Sequence, residues 1–206
     1  MDIPRILLAA GASGSGKTLI TCGLLQALVN RKMKVASFKC GPDYIDPMFH
    51  SRVIGTKSRN LDTFFTDAQT TRYLLGKNAA DCDIAVMEGV MGYYDGVGGI
   101  STKASAYDLA DTTDTPVILV VNSRGMSISV AAYIKGFMEY KDNSHVTSFG
   151  NLKVSIREFL TRNNAVVTAL TIHLHAQRFH NRSYLPGPIP SVHFRNQFGH
   201  LVHISL

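Results

Sequence analysis

Residues 11–18 read Gly-Ala-Ser-Gly-Ser-Gly-Lys-Thr, a match to the phosphate-binding pattern G-x-x-x-x-G-K-[ST]. Just before it, Ile6-Leu7-Leu8-Ala9-Ala10 is a short apolar run that suits a buried parallel strand. Just after it, Leu19–Leu28 reads as an amphipathic helix. Strand, glycine turn and helix are the context the motif needs, so the octet predicts a site for a nucleoside triphosphate.

Gly11, Gly14 and Gly16 let the backbone bend until successive N–H groups face phosphate oxygens. Ser13 and Ser15 lie between them and complete the loop around the phosphates. The positive end of the following helix adds to the same anion site. Lys17 is expected on the β- and γ-phosphates, and the Thr18 hydroxyl on Mg²⁺.

Working outward, four apolar runs alternate with helical segments, the pattern of a parallel sheet covered on both faces. The runs are Arg5–Ala10, Lys34–Phe38, Asp83–Met87 and Pro116–Val121. Helices are expected over Lys17–Asn30, Asp67–Leu75, Ser105–Asp111 and Ser127–Tyr140, with Asp67 as an N-cap and Gly76 as a stop. The predicted fold class is α/β: a P-loop NTPase-type parallel sheet flanked by helices, followed by an irregular C-terminal tail. Ligands of such sheets gather beyond the carboxyl ends of the strands. Gly11, Lys39, Glu88 and Asn122 all emerge there.

At 206 residues and 45% hydrophobic, the chain can bury one sizeable core. No apolar stretch approaches the ~20 residues of a membrane span, and no signal peptide is recognisable. Three cysteines, without C-x-x-C spacing, argue against a disulfide framework or zinc site. A cytoplasmic location is expected, with no membrane partner. The net charge of +6 is unevenly placed: residues 1–142 carry 15 Lys plus Arg against 14 Asp plus Glu, and residues 143–206 carry six against one. The basic excess therefore belongs to the tail, which argues against nucleic acid as a partner of the nucleotide-binding part. Seven of eight histidines also follow residue 142. The expected division is a P-loop domain over 1–142 and an atypical tail over 143–206, which a frame shift would explain. The tail histidines fit no ordinary zinc spacing.

Three further strings carry chemistry. Phe38-Lys39-Cys40-Gly41-Pro42-Asp43-Tyr44-Ile45-Asp46-Pro47-Met48-Phe49-His50 follows the second run, and its Gly-Pro and Asp-Pro pairs predict a rigid acidic turn. Asp43 or Asp46 could hold metal through water, position a nucleophile, or serve only as an Asx-turn pair. Lys39 could offset phosphate charge from the side opposite Lys17, and His50 reads as a locally satisfied hydrogen-bonder. Met87-Glu88-Gly89-Val90-Met91-Gly92 places a carboxylate where such folds hold Mg²⁺, and Tyr93-Tyr94-Asp95-Gly96 extends it as a substrate wall or lid. Asn122, after the fourth run, could contact the base or a water near the phosphates. Asn60-Leu61-Asp62 gains meaning only beside the rest.

Together these strings closely resemble the nucleotide-binding domain of the cobyrinate a,c-diamide synthases, a family related to dethiobiotin synthetase. The matching strings are GASGSGKT (11–18), FKCGPDYIDPMFH (38–50), NLD (60–62), MEGVMGYYDG (87–96) and SISVAAYIKGF (127–137). The resemblance implies ATP- and Mg²⁺-dependent amidation of the a and c acetate side chains of a corrinoid, each carboxylate being activated as an acyl phosphate and then attacked by ammonia. It implies Lys17, Thr18 and Glu88 as triphosphate and metal residues. It also implies Asp43, Tyr44 and Asp46 as the substrate-side residues that position the corrinoid carboxylate or the intermediate, and Lys39 is counted with them as a catalytic candidate.

A relative that amidates a nickel tetrapyrrole shares these motifs, so the macrocycle stays open. Members of the family end in a glutaminase domain with a Cys nucleophile, whereas Cys22, Cys40 and Cys82 all lie in the nucleotide-binding region. The expected partners are thus a corrinoid, ammonia from a glutaminase part absent from this chain, and a second copy in a homodimer. Two alternatives stand beside this reading. One is a nucleotide-dependent partitioning or switch ATPase of the same superfamily, which Ala12 disfavours because those proteins carry a lysine in that neighbourhood. The other is a non-functional fragment.

Overall fold

A computed structural model of the chain describes residues 3–123 and 126–147, together with the backbone of 191–195 and 201–205. Five strands, β1 (Arg5–Ala10), β2 (Val35–Cys40), β3 (Lys57–Leu61), β4 (Ile84–Glu88) and β5 (Val117–Val120), form one sheet in the order β3-β2-β4-β1-β5. Every pairing in it is parallel. The helices are α1 (Lys17–Asn30), α2 (Ile45–Phe49), α3 (Ala68–Ala79), α4 (Ala106–Thr113) and α5 (Ser129–Glu139). Among the described residues, no helix is long and apolar enough to cross a membrane.

The central strands β2 and β4 are buried along their whole length, which is why they read as apolar runs. The fifth strand, β3, is absent from the sequence reading. It lies at the sheet edge, where Lys57 and Arg59 face solvent while Ser58 and Leu61 are buried. An edge strand with charges on one side carries no apolar run to detect.

Because side chains alternate across a strand, the two faces of the sheet are distinct. Leu7, Phe38, Met87 and Leu119 join Leu75 of α3 and Leu109 of α4 in one core. Leu8, Ala10, Lys39, Val86 and Glu88 alternate with them and so share the other face. The buried side of α1, with Ile20, Leu24, Leu25 and Leu28, packs on the strands there.

Three local expectations are corrected. Helix α3 does not stop at Gly76 but runs on to Ala79, because Leu75 and Ala79 are both fully buried, and that packing offsets the ~1 kcal/mol cost of a helical glycine. Its start is as expected, with Asp67 accepting from the Thr70 amide at 2.7 Å. The acidic turn after β2 is a helix rather than a turn: α2 begins at Ile45, Asp46 lies in its first turn, and a π-helical turn over His50–Ile54 follows. Tyr93 is not part of a substrate wall. It is fully buried, and its hydroxyl donates to the Ser144 carbonyl.

The chain divides into two compact units, one of residues 1–121 and 131–146 that holds the whole parallel sheet, the other of 122–130 and 147–206. In the second, β6 (Ser191–Arg195) and β7 (Leu201–Ser205) pair antiparallel. The tail histidines His173, His175 and His180 lie outside the described residues.

Candidate functional site

The phosphate loop connects β1 to α1. Gly14 and Gly16 have φ of +74° and +90°, a left-handed backbone that L side chains adopt at a cost. Gly16 is the N-cap of α1, so no side chain caps the helix, and its first turn contains no acidic residue. The leading N–H groups of α1 are thus left for another acceptor. Ser15 braces the loop from within, its hydroxyl donating to the Ala12 carbonyl at 2.9 Å, while Ser13 is exposed. At Gly11 an added Cβ would meet the Tyr133 hydroxyl and the Phe137 ring of α5, so any side chain there would have to displace them.

Lys17 reaches across the loop. Its ammonium donates to the carbonyls of Met91 (2.6 Å) and Ala12 (3.2 Å). Met91 itself has φ of +47°, an uncommon conformation for a side-chain-bearing residue and one found at functional sites. Burial lowers the Lys17 pKa, the nearby Lys39 lowers it further, and Glu88 and Asp95 partly oppose them.

Behind the loop lies a buried charge cluster. The Glu88 carboxylate is fully buried, and its Oε1 accepts from the Thr18 hydroxyl at 2.6 Å and from Lys39 Nζ at 2.8 Å. Lys39 also pairs with Asp46 at 2.6 Å. Burial by itself would lower the Lys39 pKa, but Glu88 and Asp46 more than reverse this and hold it above its ordinary value. Lys39 is thus engaged by two carboxylates, on the sheet face that carries Glu88.

The structure brings Lys39, Asp46, Thr18 and Glu88 into one connected set. Asp43 stands differently: its Oδ1 accepts from the Ile45 amide at 2.9 Å, an Asx turn. Tyr44 is 70% exposed and precedes α2. Asn122 is exposed, two residues beyond β5, and belongs to the second unit.

Two residues gain roles that the sequence did not assign. Asn60 on β3 donates its amide to the carbonyls of Gly41 (2.7 Å) and Asp43, tying the edge strand to the turn that leads into α2. This clamp gives Asn60 of the NLD string its role. His50, read as a satisfied hydrogen-bonder, is instead fully buried, with neither ring nitrogen hydrogen-bonded. Its Nε2 lies 3.9 Å from Glu88 Oε2, which is likewise unpartnered. Burial lowers the His50 pKa against the opposing pull of Glu88. No sequence signal distinguishes a buried, unpaired histidine from a satisfied one.

The arrangement fits a magnesium–nucleotide. The glycine backbone offers N–H groups, open space surrounds Gly14 and Gly16, Lys17 supplies positive charge, and Glu88 Oε1 lies beside the Thr18 hydroxyl. The thiols have a different character. Burial pushes Cys40 up to about 12 and Cys22 up to about 11, so both are held as neutral thiols at pH 7.

Comparison with known proteins gives consistent findings. The family model described as the CobQ/CobB/MinD/ParA nucleotide binding domain matches residues 6–181. The chain is 42% identical over 154 residues to the cobyrinate a,c-diamide synthase of Methanocaldococcus jannaschii, covering 75% of this chain and 32% of that protein. Against the cobyrinate a,c-diamide synthase of Limosilactobacillus reuteri (strain DSM 20016), identity is 38% over 170 residues, covering 82% and 36%. Against the hydrogenobyrinate a,c-diamide synthase of Streptomyces coelicolor, identity is 44% over 138 residues, covering 67% and 28%. The chain thus spans about a third of the length of the curated relatives it matches. Among solved structures, the hydrogenase maturation factor HypB from Archaeoglobus fulgidus is similar at a TM-score of 0.44 and 19% identity, over 66% of this chain and 61% of that one.

Proposed function

Because this chain belongs to the CobQ/CobB/MinD/ParA nucleotide binding domain family, we propose that it is the ATP- and Mg²⁺-using part of an amide synthase acting on the a and c acetate side chains of a corrinoid. The observation that carries the reading is the buried Glu88 carboxylate, which accepts from Thr18 at 2.6 Å and Lys39 at 2.8 Å directly behind the phosphate loop. The similarity to cobyrinate and hydrogenobyrinate a,c-diamide synthases supports the substrate class.

In this reading the loop N–H groups and Lys17 hold the triphosphate, while Thr18 and Glu88 hold Mg²⁺. The metal supplies charge stabilisation at the phosphate oxygens. Asp46 and the Asp43–Tyr44 segment face the substrate side, where they position the carboxylate or the intermediate, and Lys39 offsets negative charge beside them. The substrate carboxylate oxygen takes the terminal phosphoryl group and ADP leaves. The lone pair of ammonia then attacks the acyl carbon, phosphate departs, and the nitrogen gives up its surplus proton. Ammonia comes from a glutaminase part outside this sequence.

Phosphate release by the chain is the test. Release that requires both a corrinoid carboxylate and ammonium supports the proposal. Release stimulated only by a protein or DNA partner would replace it with a switch ATPase, and failure to bind ATP in calorimetry would overturn it.

A further inference from the structure

Glu88 is held from one side only. Its Oε1 has two donors, Thr18 and Lys39, whereas Oε2 is buried with no hydrogen-bond partner. His50 Nε2 lies 3.9 Å from Oε2, and both nitrogens of the ring are likewise buried with no hydrogen-bond partner. Leaving such groups unsatisfied in a buried site is costly. At 3.9 Å a modest approach would pair Nε2 with Oε2.

The backbone around His50 is fixed for this purpose. Its carbonyl accepts from the Gly55 amide (2.9 Å), the Thr56 amide (3.0 Å) and the Thr56 hydroxyl (3.1 Å). The Thr56 hydroxyl also meets Ser37 of β2 at 2.9 Å, so the π-helical turn is anchored to the strand that carries Lys39. Turns of this geometry concentrate at functional sites. One continuous segment therefore sets both members of the ion pair: Asp46 of α2 holds Lys39, and His50 of the next turn faces Glu88.

We propose that His50 is a positioning residue, whose ring engages Glu88 Oε2 and so keeps the carboxylate turned toward Thr18 for the metal. The inference rests on Glu88 being the metal-side carboxylate, and partners placed behind a metal ligand typically change metal affinity by about 10–100-fold when removed.

The test uses Mn²⁺ as the probe, its binding to the protein–ADP complex being read by electron paramagnetic resonance, with ADP binding measured separately in excess chelator. His50→Leu is expected to weaken Mn²⁺ by at least about tenfold while leaving metal-free ADP affinity unchanged. His50→Gln, which keeps a hydrogen-bonding amide, is expected to recover most of the loss. Unchanged Mn²⁺ affinity in His50→Leu overturns the inference, as does an equal fall in both constants or a His50→Gln no better than His50→Leu. If the apolar variant does not fold, imidazole ¹⁵N spectra of the unsubstituted protein decide. A ring signal that moves when Mg²⁺ is added to the ADP complex supports the role, and no response overturns it. Failure of the unsubstituted protein to bind ADP or Mn²⁺ would instead overturn the proposed function.

Discussion

Lys39 and Glu88 are register partners on adjacent parallel strands, and their side chains meet at 2.8 Å. The pairing of β2 with β4 therefore builds the ion pair directly: a one-residue slip would send one of the two side chains to the opposite face. Glu88 is also the register partner of Leu8, the strand that feeds the phosphate loop. Sheet register thus connects the loop, the carboxylate and the α2 segment.

Removing the cation exposes the cost of that burial. Lys39→Met is expected to destabilise the fold by about 3 kcal/mol, because a fully buried Glu88 is left without its counter-charge. A urea midpoint equal to that of the unsubstituted protein would show that the pair contributes nothing to folding.

Lys17→Ala is expected to abolish detectable ATP turnover, since in the proposed function the loop lysine is the direct phosphate partner. Its effect on stability is expected to stay within about 1 kcal/mol, as burial and Lys39 already disfavour this ammonium. Unimpaired phosphate release from the variant would dissociate Lys17 from the nucleotide.

Asp46→Asn keeps shape and removes charge from the Lys39 pair. Amidation is expected to fall by at least about a hundredfold, with ATP affinity within about threefold of the parent, or about 0.7 kcal/mol. Comparable losses in calorimetric ATP affinity and in product formation would move Asp46 to the metal side.

The α3 cap gives a pH test. Hydrogen bonds from Thr70 hold the Asp67 pKa below its ordinary value. A carboxylate depressed on folding stabilises above its unfolded pKa of about 3.9, and that contribution is lost as pH falls through the lower folded value. Asp67→Ala is therefore expected to melt below the parent at pH 7, with the gap shrinking under acid. A gap independent of pH would mean that the carboxylate charge has no part in the cap.

The local elements were legible in the chain. GASGSGKT between an apolar run and a helix fixes the loop, because glycine conformations and the open N-terminus of α1 depend on near neighbours in sequence. The four apolar runs mark β1, β2, β4 and β5, because a parallel strand buried on at least one face must be apolar. Glu88 at the end of β4 follows from the same reading.

What the chain alone left open depends on residues far apart in sequence. The polar strand β3 forms because an edge needs a partner on one side only, and Asn60 acquires its role by reaching Gly41 and Asp43. Asp46 and His50 sit on a helix and a π turn whose purpose appears only when β2 and β4 pair. Hydrogen-bonding capacity can be read from a residue's type. Whether it is met, as for Asn60, or left open, as for His50 and Glu88 Oε2, is decided by what the folded chain places beside it.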